Sequence, residues 1–570
     1  MTASLFLLAT LFVAVVPTGP ASAASRTFSF TTSPAMVPSF SPAIQDYAVR
    51  CTGVPTTTLS TSGNGHVTVG GLTLNEPASV ALPLVADQSV EVTSGSRSYY
   101  VRCLPSDFPS YTAVISGHPK ANGYLVTLGT YVIAFDNDGV PVWWIDQTGA
   151  VATPPLTEGP IDAKFLTPTT VAWNDGDNEY QVRGLDGSLL SMVGGGSIPL
   201  NIHDLQLLPN GNYLGIEYVY RDCPAVPSQC VDLSSWGQSS ESDVLDNVIV
   251  EVTPAHQVVW SWSVADHIDI ASENVNWHDE YPDVVHMNSI AYDGAGGVIF
   301  SSRYFDAVYR VDMATGAITW KLGGTPTPES LKWVGGNAHE PAGFSGQHFA
   351  RLAPNGDLTL QDNGTRDGRP VRALEFKVDG TNMTATLKAQ VEDSRNPAPA
   401  LCCGSALKLA GNDWVVNWGY NDYVSELRGD GSPVLTITWP GESSYRAETL
   451  DATVAALRAG MDAAVEPVLL AGDAPPDAPT QVSAVATVSG TAQIAFTPPP
   501  DNGSPITSYT VTVWDAYDPT DPSNGTSRTG GSGPIDITGL NPADTYWATV
   551  TATSAVGTSA GGSSELFAAA

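Results

Sequence analysis

Basic residues are scarce in this chain of 570 residues: 24 Lys and Arg stand against 58 Asp and Glu, a formal charge of −34. Such a surface repels DNA, RNA and anionic lipid, which excludes a nucleic-acid partner. Charged residues make up only 14% of the chain, too few for a coiled coil or long solvent-laced helices. After the N-terminus no apolar run is long enough to span a bilayer. Cysteine is sparse too: the chain has 6 and no C-x-x-C pair, which argues for structural disulfides over a metal site. What is abundant points one way. Gly 54 and Pro 43, with much Thr, Ser and Val, predict strands and turns, hence an all-β protein. The 42% hydrophobic content excludes wholesale disorder, and the length predicts about three or four domains.

Leu5 to Val16 is a short apolar run followed by Pro17, Gly19 and the small residues Ala21-Ser22-Ala23. This is the plan of a secretory signal peptide over residues 1–23, although no Lys or Arg precedes the run. The run is short for an uncleaved anchor, so a secreted or extracytoplasmic product with no membrane association after cleavage is expected. The cysteines suit that compartment. Cys51 and Cys103 end two matching strings, Tyr47-Ala48-Val49-Arg50-Cys51 and Tyr99-Tyr100-Val101-Arg102-Cys103. They are read as a disulfide within a cadherin-like β-sandwich over residues 24–105. Cys223 and Cys230 are predicted to close a surface loop. The adjacent Cys402 and Cys403 are either a vicinal bridge or two thiols.

From 106 to 465 a degenerate unit recurs. Asn210-Gly211-Asn212-Tyr213-Leu214, Ala295-Gly296-Gly297-Val298-Ile299, Asn355-Gly356-Asp357-Leu358-Thr359 and Gly411-Asn412-Asp413-Trp414-Val415 each turn into an apolar strand. Gly123-Tyr124-Leu125-Val126 is a further copy, and a weaker one covers Thr170 to Leu190. Many units end on Trp, as at Trp143, Trp260, Trp320 and Trp439. Six such units predict a six-bladed β-propeller. Residues 466–475 read as a Pro/Asp/Ala linker. Residues 476–570 form alternating strands. Their strings Ile494-Ala495-Phe496-Thr497-Pro498-Pro499, Ser508-Tyr509, Gly539-Leu540-Asn541-Pro542 and Tyr546 resemble a fibronectin type III sandwich. That resemblance makes the domain a candidate for holding a polysaccharide or surface partner.

Three of the 9 histidines share one phase of the repeat, just before an inner strand: His203, His286 and His348. Inner strands of a propeller line its axis, so these imidazoles are expected to converge. Asn288 lies two residues after His286, on the same face of an extended strand. Arg303 follows the next strand of that unit and supplies a local positive charge. His278 and His339 are possible rim residues, and Tyr304 and Trp418 are candidates to stack on an aromatic ligand. Three histidines could instead bind Zn, Cu or Fe, but the neighbouring Arg303 disfavours a dication, so no metal or cofactor is expected. A non-catalytic extracellular binding propeller is the other alternative.

The ordered set His286-Met287-Asn288-Ser289-Ile290, Ser301-Ser302-Arg303, Thr315 to Gly324, Gln347-His348, Gln361-Asp362-Asn363-Gly364 and Asn417-Trp418-Gly419 resembles the arylsulfotransferase family. The resemblance covers about residues 110 to 450. It implies transfer of a sulfuryl group from a phenolic sulfate donor to a phenol acceptor, without a nucleotide sulfate donor. It further implies that His348 is the nucleophile, passing through a sulfohistidine, while His203, His286, Asn288 and Arg303 hold the sulfuryl oxygens. Asn363, Asn382 and Asn524 begin glycosylation sequons.

Overall fold

The structure, a computed structural model, describes residues 27–569 except 55, 148–158, 177, 224, 275, 336–342, 396, 398, 471–474, 501–505, 517–524 and 555–556. The proposed signal peptide and His339 lie outside the described residues. The chain is all-β, with short helices only. No described helix is long and apolar enough to cross a membrane. Three disulfides, Cys51–Cys103, Cys223–Cys230 and Cys402–Cys403, are consistent with an extracytoplasmic protein.

At the N-terminus, a sheet of Ser29–Ser33, Thr57–Ser62 and Ala78–Leu82 faces a second one built around Ser89–Ser94 and Arg97–Cys103. Phe30, Tyr47, Leu59, Val90 and Val101 fill the space between them. The middle of the chain makes six sheets in sequence order, each of four or five strands and antiparallel but for the outer strand Lys332–Val334 of the fifth, which pairs in parallel with Thr384–Glu392. In sheets two to six the innermost strands are Ile161–Thr167, Leu200–Leu207, Met287–Tyr292, His348–Leu352 and Ser405–Lys408. The first sheet departs from this order. Its innermost strand, Ala447–Thr449, comes from the far end of the segment and pairs with Gly123–Leu128. Conversely Thr112–Ile115 adds the outermost strand to the sixth sheet. Innermost strands of successive sheets touch one another.

The recurring sequence marks have simple causes. At Asn210-Gly211 the Asn side chain accepts from Asn212 N, and Gly211 takes φ +84°, which a Cβ disfavours. Asn355-Gly356 repeats the device. The tryptophans tie one sheet to the next. Trp143 Nε1 donates to the Leu185 carbonyl at 2.7 Å, and Trp262 Nε1 to that of Gly316 at 2.9 Å.

Helix Val454–Ala464 starts on Thr453, whose hydroxyl accepts from Ala456 N. It binds the N-terminal sandwich through Arg458–Asp46 at 2.6 Å and Asp462–Arg102 at 2.7 Å. Val468 and Leu470 then enter that sandwich's core. Thr480 onward forms a last sandwich around Ile494, Val511, Ile537 and Val550. There Phe496 packs against Tyr509, and the Tyr546 hydroxyl accepts from Asn541 N at 2.9 Å.

Candidate functional site

Backbone irregularity starts the site. In sheets two to five a register shift interrupts the pairing of the innermost strand near its beginning, at Ile161/Lys164, Leu200/Leu205, Met287/Ser289 and His348/Arg351. Three residues at these breaks, Asp162, His286 and Phe349, hold φ of +55°, +50° and +56°. Such bulges re-aim side chains and cost free energy at non-glycine positions. Here they turn the strand starts toward a shared centre. A buried ion network braces it. Asp162 meets Arg446 at 2.5 Å and Lys164 at 2.7 Å, while Asp204 meets Lys164 at 2.5 Å and Arg351 at 2.8 Å.

The histidines predicted to converge do so in part. The rings of His203 and His286 are 4.9 Å apart, centre to centre. His348 joins them through Tyr445, whose ring is 5.3 Å from His348 and 6.1 Å from His203. Tyr218 stacks on His203 at 5.4 Å, and Tyr304 lies 4.7 Å from His286. The pocket is therefore walled by aromatic rings.

Each imidazole has one nitrogen committed. His348 Nδ1 lies 2.7 Å from the Gly404 carbonyl. A carbonyl only accepts, so Nδ1 carries the proton and Nε2 the lone pair. That lone pair faces the Tyr445 hydroxyl at 3.2 Å. His286 Nδ1 is 2.6 Å from Asp283 Oδ2, and His203 Nδ1 is bonded by Asn201. Burial holds the His348 pKa well below the usual histidine range, with the Arg446 charge adding to it. Burial does the same to His203, helped by His286 and Arg446. Burial also raises the Tyr445 phenol, which therefore keeps its proton and donates.

Asn288 is fully buried, and its Nδ2 donates to the Gln347 carbonyl at 2.7 Å, leaving its second N–H uncommitted. Arg303 is buried against the Trp277 ring at 4.8 Å and donates to the carbonyls of Gly346 and Leu401. No carboxylate pairs with it among the described residues. A buried guanidinium without a counter-charge is an incomplete ion pair.

Beside Tyr445 opens a cavity of about 280 Å³ lined by Gly129, Ile161, Cys403, Tyr420 and Ser443. Sequence reasoning missed Tyr445, Arg446 and Trp277. Tyr445 occupies the same phase as the histidines, just ahead of the innermost strand of the first sheet, but that strand is displaced to the end of the segment. The candidate rim residue His278 packs on Trp236 at 4.3 Å, with Nε2 on the Asn274 carbonyl. Trp418 is fully buried, so it is core rather than a ligand platform. Asn363 is also fully buried and bonds the Gly346 and Cys403 carbonyls, which leaves its sequon inaccessible. Among the described residues, no group of three His, Cys, Asp or Glu is placed to hold a metal ion.

Comparison with known proteins gives two family-model matches. Residues 202–439 match the model of the arylsulfotransferase (ASST) family, and residues 477–568 match that of the fibronectin type III domain. The first match contains His203, His286, Asn288, Arg303 and His348, and ends just before Tyr445. No curated protein matches the chain. Among solved structures, a protein of unknown function from Bacteroides caccae is 11% identical, covering 57% of this chain and 98% of that one with a TM-score of 0.36. Titin kinase with its flanking domains is 22% identical; the match covers 16% of this chain and 17% of that one, with a TM-score of 0.15. The FN5 domain of Drosophila Lar is 20% identical over 16% of this chain and 91% of that one, with a TM-score of 0.13. At these TM-scores the likenesses carry no argument.

Proposed function

We propose that the protein is a secreted aryl sulfotransferase whose six middle sheets are the blades of a β-propeller, with the site on its axis. One observation carries the reading: a neutral imidazole, His348, has its Nε2 lone pair oriented by the Gly404 carbonyl, and the same short loop holds, through the Leu401 carbonyl, a buried guanidinium that no described carboxylate bonds directly. Sulfuryl transfer is chiefly a matter of in-line positioning and charge stabilisation, as in phosphoryl transfer.

In the first half-reaction the His348 Nε2 lone pair attacks the sulfur of an aryl sulfate. An N–S bond forms as the S–O bond to the aryl group breaks. Arg303 and the second Asn288 N–H hold the peripheral oxygens, and the Tyr445 hydroxyl turns from Nε2 to the incoming sulfuryl group. In its imidazolium form His286 keeps Nδ1–H on Asp283 and gives the Nε2 proton to the departing phenolate, which leaves it neutral for the second half-reaction. The second half-reaction runs in reverse. An acceptor phenol gives its proton to His286, its oxygen bonds the sulfur, and the N–S bond breaks. The aromatic walls at Tyr218, Tyr304 and Tyr445 suit phenols of either role.

Incubation with a chromogenic aryl sulfate and no acceptor, followed by peptide mass spectrometry, tests this directly. A sulfated peptide containing His348 and a burst of one phenol per protein are expected. A label on any other residue, or no burst, overturns the mechanism. His348→Ala should abolish exchange, while His348→Asn keeps donor binding.

A further inference from the structure

The segment 400–404 spends its backbone on the site. The Ala400 carbonyl accepts from Thr365 Oγ1 at 2.8 Å, and the Leu401 carbonyl accepts from Arg303. The Cys403 carbonyl accepts from Gln361 Nε2 at 3.2 Å and Asn363 Nδ2 at 3.1 Å. The Gly404 carbonyl takes the His348 Nδ1 proton at 2.7 Å, and Gly404 N donates to the Tyr445 carbonyl at 2.8 Å. Two residues of this short loop, Leu401 and Gly404, thus hold the guanidinium, the nucleophile and the tyrosine that faces it, while Ala400 and Cys403 tie the loop to Thr365, Gln361 and Asn363. Yet the loop has little packing of its own. Leu401 is 72% exposed, and Cys402 and Cys403 are only half-buried. Cys403 and Gly404 also hold φ of +71° and +90°, a conformation that a non-glycine residue does not keep unaided. A Cβ on Gly404 would stand 1.9 Å from Gln361 Nε2, so the loop is pressed against the site with no slack. The covalent feature inside it is the bond between Cys402 and Cys403.

We propose that the Cys402–Cys403 disulfide is a positioning element of the sulfotransfer site: closed, it holds the Gly404 and Leu401 carbonyls where they select the reactive His348 tautomer and anchor Arg303, and opened, it releases both. The role rests on the assignment of His348 as nucleophile. Opening is a dithiol exchange. A thiolate of an external dithiol attacks one sulfur to give a mixed disulfide. Its second thiol then closes the reductant's own disulfide, leaving Cys402 and Cys403 as thiols with two electrons and two protons gained. Cys403 borders the cavity beside Tyr445, so a small dithiol can reach it. Reduction is therefore expected to lower activity, although neither sulfur takes part in the transfer.

The test compares wild type, the double variant Cys402→Ser/Cys403→Ser and the control Cys223→Ser/Cys230→Ser, which opens a surface loop away from the site. The first readout is the ¹⁵N NMR signature of the His348 imidazole, which needs no turnover. Wild type and control should show the Nδ1–H tautomer, and the Cys402→Ser/Cys403→Ser protein a mixture with Nε2–H. The second is kinetics with an aryl sulfate: kcat is expected to fall about 10- to 100-fold, the range for loss of a group that orients a reactive one, with KM little changed. An unchanged His348 tautomer in the double variant overturns the proposal whatever the rates. If wild type shows the Nδ1–H tautomer but no turnover, the sulfotransfer reading fails while the positioning role is still decided by NMR. Should the double variant unfold, brief dithiol treatment of wild type with the same NMR measurement replaces it. Wild-type tautomer in protein whose Cys402 and Cys403 are shown to be alkylatable would again overturn the role.

Discussion

The Tyr445 hydroxyl lies 3.2 Å from His348 Nε2, the nitrogen left without a proton once Nδ1 donates to Gly404. The tyrosine thus occupies, in the resting protein, the place where an electrophilic sulfur would be attacked. Tyr445→Phe keeps the ring contacts with His203 and His348 and removes only the hydroxyl. Its kcat with an aryl sulfate is expected to fall about 10- to 100-fold, on the scale of a lost oxyanion donor, with a smaller change in KM. Rates equal to wild type would remove the hydroxyl from the chemistry.

In the proposed mechanism Arg303 supplies the anion site. Sulfate should raise the melting temperature of the wild type in proportion to the logarithm of its concentration. Arg303→Met should show no such rise and no turnover. Arg303→Lys should lose most activity, because a point charge does not reproduce a planar fork. Differential scanning fluorimetry across a sulfate series, beside initial rates, checks all three.

The acid limb of the rate profile follows from burial. His348 is active as the neutral base, and its pKa is held below the ordinary histidine value of about 6.5. kcat/KM should therefore persist below that pH, and a half-maximal rate near 6.5 or above would contradict it. Stability runs the other way. The unfolded chain binds protons at His203 and His348 as pH falls through about 6.5, while the folded chain does not, so stability declines below that pH. His348→Asn should flatten that decline in urea titrations at pH 5 to 7.

Asp204 is fully buried between Lys164 and Arg351 and also accepts from Ile290 N at 2.9 Å. Asp204→Asn takes the carboxylate from Arg351 and leaves Lys164 with Asp162 alone. A loss of about 3–5 kcal/mol in chemical denaturation is expected.

Much of this was legible in the residues. Asn210-Gly211 and Asn355-Gly356 marked hairpins because their turns need an Asn side chain and a left-handed glycine. Two of the terminal tryptophans, Trp143 and Trp260, marked outer strands whose indoles bond carbonyls on the next sheet. His203, His286 and His348 stood out because a repeat shows its own phase. Tyr445 shares that phase, yet no turn-strand unit follows it, since Ala447–Thr449 completes a sheet begun at Gly123. The Gly404 and Leu401 carbonyls were invisible for a different reason: backbone acceptors leave no mark in a sequence. Trp277, which stacks on Arg303, sits in an irregular stretch whose pattern only the tertiary contacts explain.

The late arrival of Ala447–Thr449 has a further consequence. Ser444, Tyr445 and Arg446 are held at the centre by the segment that leads into this strand, so the site needs the end of the segment paired with its beginning. A nascent chain, or one clipped ahead of residue 444, would carry every histidine and still lack both the tyrosine opposite the nucleophile and the cation that ties Asp162 to Asn288. Under the proposed mechanism, transfer would then demand the paired ends of the array as well as the histidines, and a shortened chain would be expected to be inert.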